Sequence, residues 1–553
     1  MTIRNRAASA SRVLVVATLV GAIVVTPGHA QDTTAIVRLA DRVFASRENI
    51  HGPGCAVGIA QGGRTLLERA YGMADLNAAR ALTPATILES GSVAKQFTAA
   101  AVLLLMQDGR LSLEDDVRTY VPELPAYART ITIRHLLTHT SGLREWSNLM
   151  EWQGWPRGTR LHTHTDVIDA ITRQRSLNYP VGDHYSYTNS GFLLLRTVVE
   201  RVSGMPFTRF TATRIFTPLG MRHTRWRDDF TEVVPGLAQA YSLRDGAWHL
   251  DMPFDNVIGA GGLLSTVGDW LTWNAALDAK ALGPAVGDSL TRQMRLTGGT
   301  TIQYALGVVV SSYRGTREIA HSGSTAGYST YLARYPDLDH LSVAVMCNGA
   351  GLGATGYAHA LVDGLAPSLA RAPAPDSIAG DAAALSGWAG LYRDTRTNMV
   401  VVVDTAGGRL RIDGAALTPL RDGAFARGGT RLRLAAGRDG AAPTIRVRTA
   451  DGDTVVHVRM AARAWTPAPQ ELAALEGRYR SDEIGATHTV RVVNGALTVS
   501  PRVGVSTTLT PAWRDAFSAP GGSVWFARDA RGRVTAMHFG SSRAWDFVLT
   551  RQP

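Results

Sequence analysis

The chain has 553 residues, and at roughly 150 residues per domain it holds three or four domains rather than one core. Apolar residues make up 45% and charged residues 19%, an ordinary globular balance that excludes a disordered or fibrous chain. The net charge is +11, yet Lys95 and Lys280 are the only lysines and the arginines are scattered. Without a basic stripe or an aromatic binding pattern, this argues against a nucleic-acid partner. It leaves a mild attraction to cell-wall or other anionic envelope polymers.

The first segment, 1–30, reads as a signal peptide. Arg4, Arg6 and Arg12 precede an uncharged apolar run at 13–25, and Thr26-Pro27 ends it. Gly28-His29-Ala30 then forms a small-x-small cleavage site before Gln31. A membrane anchor is the alternative, but the run is shorter than the roughly 20 residues a spanning helix needs. Cleavage implies a periplasmic or secreted protein. Two cysteines, Cys55 and Cys347, are too few for a disulfide scaffold and fit no metal site. Export would permit one bridge.

Residues 32–46 have a helical pattern. Strand-like runs at 55–60 and 65–71, joined by Gln61-Gly62-Gly63-Arg64, form a hairpin signal. A strongly apolar helix follows at 96–108. Further helices begin at 131–137, ending at Ser141-Gly142, and at 190–202. Strands return at 329–335 and 340–347 around Asp337-Leu338-Asp339, and a helix at 353–365 closes the unit. This order predicts an α+β fold with an antiparallel sheet.

Arg371-Ala372-Pro373-Ala374-Pro375-Asp376 and Thr466-Pro467-Ala468-Pro469 read as linkers. They divide the chain into 31–370, 377–465 and 471–553. Alternating strands at 399–403, 409–412 and 431–434 open the strand-rich remainder, and its two units share motifs in one order. Leu385-Ser386-Gly387 before Tyr392 corresponds to Leu475-Glu476-Gly477 before Tyr479, and Leu417-Thr418-Pro419 to Leu509-Thr510-Pro511. Each unit is expected to close as a small antiparallel β-barrel, which removes exposed edges. Two unrelated sandwich-like domains are the alternative.

Three short motifs carry chemistry. In Ser92-Val93-Ala94-Lys95 the amine and the hydroxyl share one face of a helix. A serine hydroxyl needs a base, and a desolvated lysine can be one where arginine cannot. A surface lysine on a capped helix is the plain alternative, which the apolar run behind Lys95 disfavours. Tyr187-Thr188-Asn189 precedes a helix. Near a lysine ammonium, the Tyr187 phenol is expected to ionise more easily and relay a proton. The Asn189 amide can hold Lys95 or a substrate carbonyl, although helix capping by Asn189 or Ser190 is the simpler role. In His321-Ser322-Gly323-Ser324, Gly323 permits a close backbone approach and the next N–H can face an oxyanion.

In this order the motifs are similar to the Ser-x-x-Lys, Tyr-x-Asn and Lys/His-Thr/Ser-Gly elements of penicillin-recognising serine hydrolases. The stretch from Ala35 to Pro367 resembles their β-lactamase-related members: class C β-lactamases, DD-peptidases, esterases and D-aminopeptidases. Arg134-His135-Leu136-Leu137-Thr138-His139-Thr140-Ser141-Gly142-Leu143 is also typical of them. The resemblance implies a β-lactamase/transpeptidase-like catalytic domain followed by two β-barrels, as in D-aminopeptidases.

It further implies acylation of Ser92, acid–base work shared by Lys95 and Tyr187, and Asn189 and His321 lining the site. Ser92 and Ser324 amides would form the oxyanion hole, beside Gly323. No metal or organic cofactor is implied. The substrate is a small molecule or peptide, an amide carrying D-residues or an ester.

His321 departs from the lysine of most β-lactamases and DD-peptidases. It supplies no permanent charge for a substrate carboxylate, which disfavours β-lactamase or DD-carboxypeptidase activity. A non-turnover sensor is the reading from another class. The resemblance also sets the first strand beside the last, so Cys55 and Cys347 can face each other in a disulfide.

Three lesser features remain. Trp146, Trp152 and Trp155 are candidates for an apolar substrate wall or, equally, for ordinary packing. His162-Thr163-His164 reads as a polar loop, since no third metal ligand is near. The loop at 516–523 reads as a surface hairpin, with a lid over the site as the alternative. Nothing in the sequence sets the oligomeric state.

Overall fold

The structure is a computed structural model that describes residues 33–47, 51–369, 385–428, 430–437, 442–449, 452–460 and 465–553. The expected signal segment and the first linker lie outside the described residues. The α+β expectation holds. Strands β1 (Cys55–Gln61), β2 (Arg64–Tyr71), β3 (Val309–Tyr313), β4 (Thr316–Thr325), β5 (Tyr328–Tyr335) and β6 (Leu341–Cys347) form one sheet of order β3-β4-β5-β6-β1-β2. Every pair is antiparallel.

Both faces of the sheet are covered, which explains why β1 and β6 read as continuous apolar runs. Val57, Ile59, Val343 and Val345 face a layer containing Ile36, Ala40, Leu361 and Val362 from α1 (Thr33–Val43) and the helix Ala354–Leu365. Ala56, Ala60, Ala344 and Met346 face the main core. There α2 (Lys95–Gln107) is buried from Lys95 through Leu105. A helix that is apolar all round has no solvent face to offer, so it forms the centre of the domain.

The strand-rich region forms two nine-stranded antiparallel sheets, spanning Gly390 to Arg459 and Gly477 to Arg551. Each is a nearly closed barrel, and strand for strand the two orders are the same. Details repeat as well. Tyr392 Oη donates to Trp388 O at 3.0 Å and Tyr479 Oη to Leu475 O at 2.7 Å, both four residues back along the chain. Both tyrosine side chains are fully buried.

The two barrels differ in attachment. The first closes around its own core of Tyr392, Val403, Leu410, Leu432 and Ile445. The core of the second is continuous with that of the catalytic domain. Buried Arg144 joins them, donating to Glu483 Oε2 at 3.0 Å and to Asp546 O at 2.6 Å.

Cys55 and Cys347 are register partners across β1 and β6 and are joined by a disulfide. The denatured protein is therefore expected to show no free thiol without reductant; two titratable thiols would contradict the pairing.

Candidate active site

Ser92 lies on the tight turn Gly91–Ala94, which runs directly into α2 at Lys95. This sets the two side chains one helical turn apart on one face. Lys95 Nζ is 3.1 Å from Ser92 Oγ, 2.7 Å from Asn189 Oδ1 and 2.7 Å from Ala260 O. The side chain is inaccessible to solvent.

Burial drives the Lys95 pKa well below its ordinary value of 10.5. Glu145 pulls it back up, and Arg543 adds a smaller push downward. A neutral amine has two hydrogens and one lone pair. Asn189 Oδ1 and Ala260 O can only accept, so they take the hydrogens. When Lys95 is neutral, its lone pair is left for the Ser92 hydroxyl.

Asn189 cannot face the other way. Its Nδ2 donates to Glu145 Oε1 at 3.1 Å, and its backbone N donates to Glu145 Oε2 at 2.6 Å. Thr188 Oγ1 also donates to Glu145 Oε2, at 3.1 Å. The Glu145 carboxylate, 1% exposed, thus fixes the amide that holds the lysine. Thr188, rather than Asn189 or Ser190, caps the helix Asn189–Ser203.

Tyr187 departs from the sequence reading. Beside a lysine ammonium its phenol was expected to ionise readily, but burial raises its pKa above the ordinary value of 10.0. That outweighs the lowering by Ser92 and Arg543. The amine beside it is itself desolvated, so the phenol keeps its proton. The buried hydroxyl lacks a hydrogen-bond partner of good geometry, while Lys95 Nζ lies 4.9 Å from its ring centroid.

His321 sits on β4, 5% exposed. Its Nδ1 lies 2.6 Å from Ser322 O, which can only accept, so Nδ1 carries the hydrogen. Nε2 then accepts from Tyr304 Oη at 2.9 Å. Burial, with help from Lys95, lowers the His321 pKa to about 3. The imidazole is neutral and both nitrogens are engaged.

Two glycines allow β4 to touch the Ser92 turn. A Cβ on Gly323 would stand 2.0 Å from Ser90 O. Gly91 has φ +50°, and a Cβ there would stand 2.6 Å from Ser324 N. The Ser324 amide is thereby held against the backbone beside Ser92. Ser92, Asn189 and Ser324 line one open cleft, with Trp146, Glu89, Arg157 and Asp255.

Several contributors were not singled out in the sequence. Glu145 and Tyr304 lie in no motif. His139 lies inside the quoted Arg134–Leu143 stretch, yet only the fold shows its position: its ring packs 4.3 Å from that of Tyr187 and 4.5 Å from that of Tyr304. Its Nδ1 accepts from Thr188 N at 3.3 Å.

Of the three tryptophans only Trp146 borders the cleft. Trp152 stacks on His488 and Trp155 lies under Arg502, both in the second barrel. His162 and His164 make hydrogen bonds to Trp155 O and Thr197 Oγ1. The 516–523 segment forms a hairpin whose tip, Ala519 and Pro520, lines a pocket beside Trp152 instead of the Ser92 cleft.

A family model described as Beta-lactamase matches residues 39–366. The chain belongs to the beta-lactamase family. It is an enzyme, a serine hydrolase of that family. The family member Penicillin-binding protein 4* of Bacillus subtilis is 31% identical over 296 residues, which are 50% of this chain and 64% of that protein. A D-aminopeptidase of Brucella anthropi is 26% identical over 521 residues, which are 89% of this chain and 94% of that one.

The octameric penicillin-binding protein homologue from Pyrococcus abyssi superposes with a TM-score of 0.55 at 20% identity, covering 85% of this chain and 99% of that one. A D-stereospecific amidohydrolase from Streptomyces gives a TM-score of 0.50 at 21% identity, over 60% and 98%. These two likenesses speak to the fold: a beta-lactamase-like domain, extended in the first by much of the remaining chain.

Replacing Glu145 by Gln turns an amide hydrogen toward the Asn189 donors. Glu145→Gln is expected to lower kcat/KM about 10- to 100-fold and to lose about 1.5–3 kcal/mol of stability, the scale of a charged hydrogen bond. Unchanged kinetics and melting would contradict the role given to Glu145.

Proposed function

We propose that the chain is an exported peptidase or amidase that releases an amine from a small, D-residue-containing substrate through an acyl-Ser92 intermediate. The supporting observation is the hydrogen count at Lys95: two obligate acceptors at 2.7 Å leave its lone pair for the Ser92 hydroxyl. The D-residue preference draws on the full-length likeness to D-aminopeptidases. The signal-like segment at 1–30 supports a periplasmic or secreted location.

In the first half-reaction Ser92 Oγ bonds to the substrate carbonyl carbon while its proton passes to Lys95 Nζ. The amides of Ser92 and Ser324 donate to the oxyanion. The C–N bond breaks as the leaving nitrogen takes a proton from Tyr187 Oη, which recovers one from Lys95. In the second half-reaction water attacks the acyl carbon, and its proton returns through the same groups to Ser92 Oγ as the acid leaves. A neutral phenol suits this relay, since a donor must hold its proton until the leaving group needs it.

Lys95 must be a free amine to act, so kcat/KM is lost as pH falls through its lowered pKa and is retained above it. The acid limb is expected well below 10.5; activity that appears only as pH approaches that value would contradict the assignment. Burst and steady-state kinetics should show turnover of D-alanyl p-nitroanilide and p-nitrophenyl esters, exceeding that of nitrocefin, and no turnover by Ser92→Ala. Ser92→Ala activity equal to wild type, or a burst without turnover, would overturn the reading.

A further inference from the structure

Arg543 has no part in the proton relay, yet it stands beside the reacting groups. It lies at the tip of the hairpin between strands Val534–Ser541 and Ala544–Arg551 of the second barrel. That tip is clamped to the catalytic domain. Arg543 O accepts from Glu145 N at 3.2 Å and from Asn178 Nδ2 at 3.0 Å. Trp545 N donates back to Asn178 Oδ1 at 3.0 Å. From this anchored backbone the guanidinium reaches over Tyr187, its Cζ 4.9 Å from the ring centroid.

The other cations at the cleft are already committed. Arg157 pairs with Asp255 at 2.7 Å and Arg227 with Glu89 at 3.2 Å. Lys95 is buried and gives its hydrogens to carbonyl-type oxygens. His321 is neutral, with both nitrogens engaged. Arg543 is exposed, and among the described residues no carboxylate pairs with it. Its fixed charge is also felt inside the site, lowering the pKa of both Lys95 and Tyr187.

Position says which part of a substrate meets this charge. Tyr187 protonates the departing amine, so a group lying over Tyr187 is on the leaving-group side of the scissile bond. We propose that Arg543 is a specificity-determining residue that binds a carboxylate on the leaving group, which makes short peptides with a free C-terminus the preferred substrates. Arginine suits the task because its planar fork matches a carboxylate and never loses its charge. The proposal rests on amide hydrolysis through Ser92. It makes the second barrel part of the active site, supplying the fixed cation that the third motif lacks.

The test compares D-alanyl-D-alanine with its C-terminal amide on the wild type, Arg543→Gln and Arg543→Lys, with kcat and KM read separately. The wild type is expected to favour the free acid, chiefly through KM. Arg543→Gln should cut kcat/KM for the acid by ~10-fold or more, the scale of a charge-assisted hydrogen bond, and the amide far less. Arg543→Lys should restore part of the preference. Equal losses on both peptides, or no acid preference in the wild type, would overturn the proposal.

Both compounds are also assayed as competitive inhibitors of p-nitrophenyl ester hydrolysis. If neither peptide is cleaved, the peptidase reading fails. Acid-selective inhibition that disappears in Arg543→Gln would still support the cation site, and equal inhibition by acid and amide would overturn it.

Discussion

Lys95 Nζ is sealed from water, and Asn189 Oδ1 and Ala260 O each take a hydrogen from it at 2.7 Å. Much of the surrounding structure follows from keeping that amine dry and oriented. The helix it begins is buried along nearly its whole length, so the charge-bearing side chain starts in the core rather than reaching in from the surface. A buried ammonium would need a partner charge within reach. Here the direct contacts are a hydroxyl, an amide oxygen and a peptide oxygen; the carboxylate that acts on the amine, Glu145, stands behind Asn189, and burial outweighs its pull. An arginine at this place would stay charged and could not serve as a base.

Orientation comes from the next layer outward. Asn189 faces Lys95 because Glu145 takes the other end of its amide, and Glu145 is itself tied to the second barrel through its backbone N and the Arg543 carbonyl. Arg144, the preceding residue, is held by Glu483 and Asp546 of the same barrel. Barrel and Lys95 are thus three contacts apart. The first barrel, built on the same strand order, has a separate core and meets the catalytic domain through Asp453, which pairs with His184. Among the described residues, it is the second barrel that reaches Glu145, beside the Ser92 cleft.

Strands β1, β2, β5 and β6 and the helices at 33–43 and 354–365 were legible because strand and helix periods differ and the turns between them carry clear signals, whereas β3 and β4 were not marked out as strands. Ser92 with Lys95, and Tyr187 with Asn189, were legible because each pair lies within one turn or loop, where spacing fixes geometry. Glu145, Tyr304 and Arg543 were not, since each arrives from a distant segment and none has a spacing to betray it. The protonation of Tyr187 was misjudged for a related reason: residue types announce charge, whereas desolvation depends on what the fold packs around them. Trp152 and Trp155 stayed open between substrate wall and packing because apolar clusters near a motif suit a cleft or an interface equally, and here they pack on the second barrel.

Lys95 and Lys280 are the only lysines in the chain, so the central claim can be observed directly. Lys280 is half-exposed and paired with Asp288. In protein carrying isotope-labelled lysine, NMR of the Cε and Nζ nuclei should give two side-chain signals, assigned by Lys280→Arg. The account predicts that the Lys95 signal changes to that of a free amine at a pH well below 10.5. A Lys95 signal that stays that of an ammonium throughout the active pH range would contradict it.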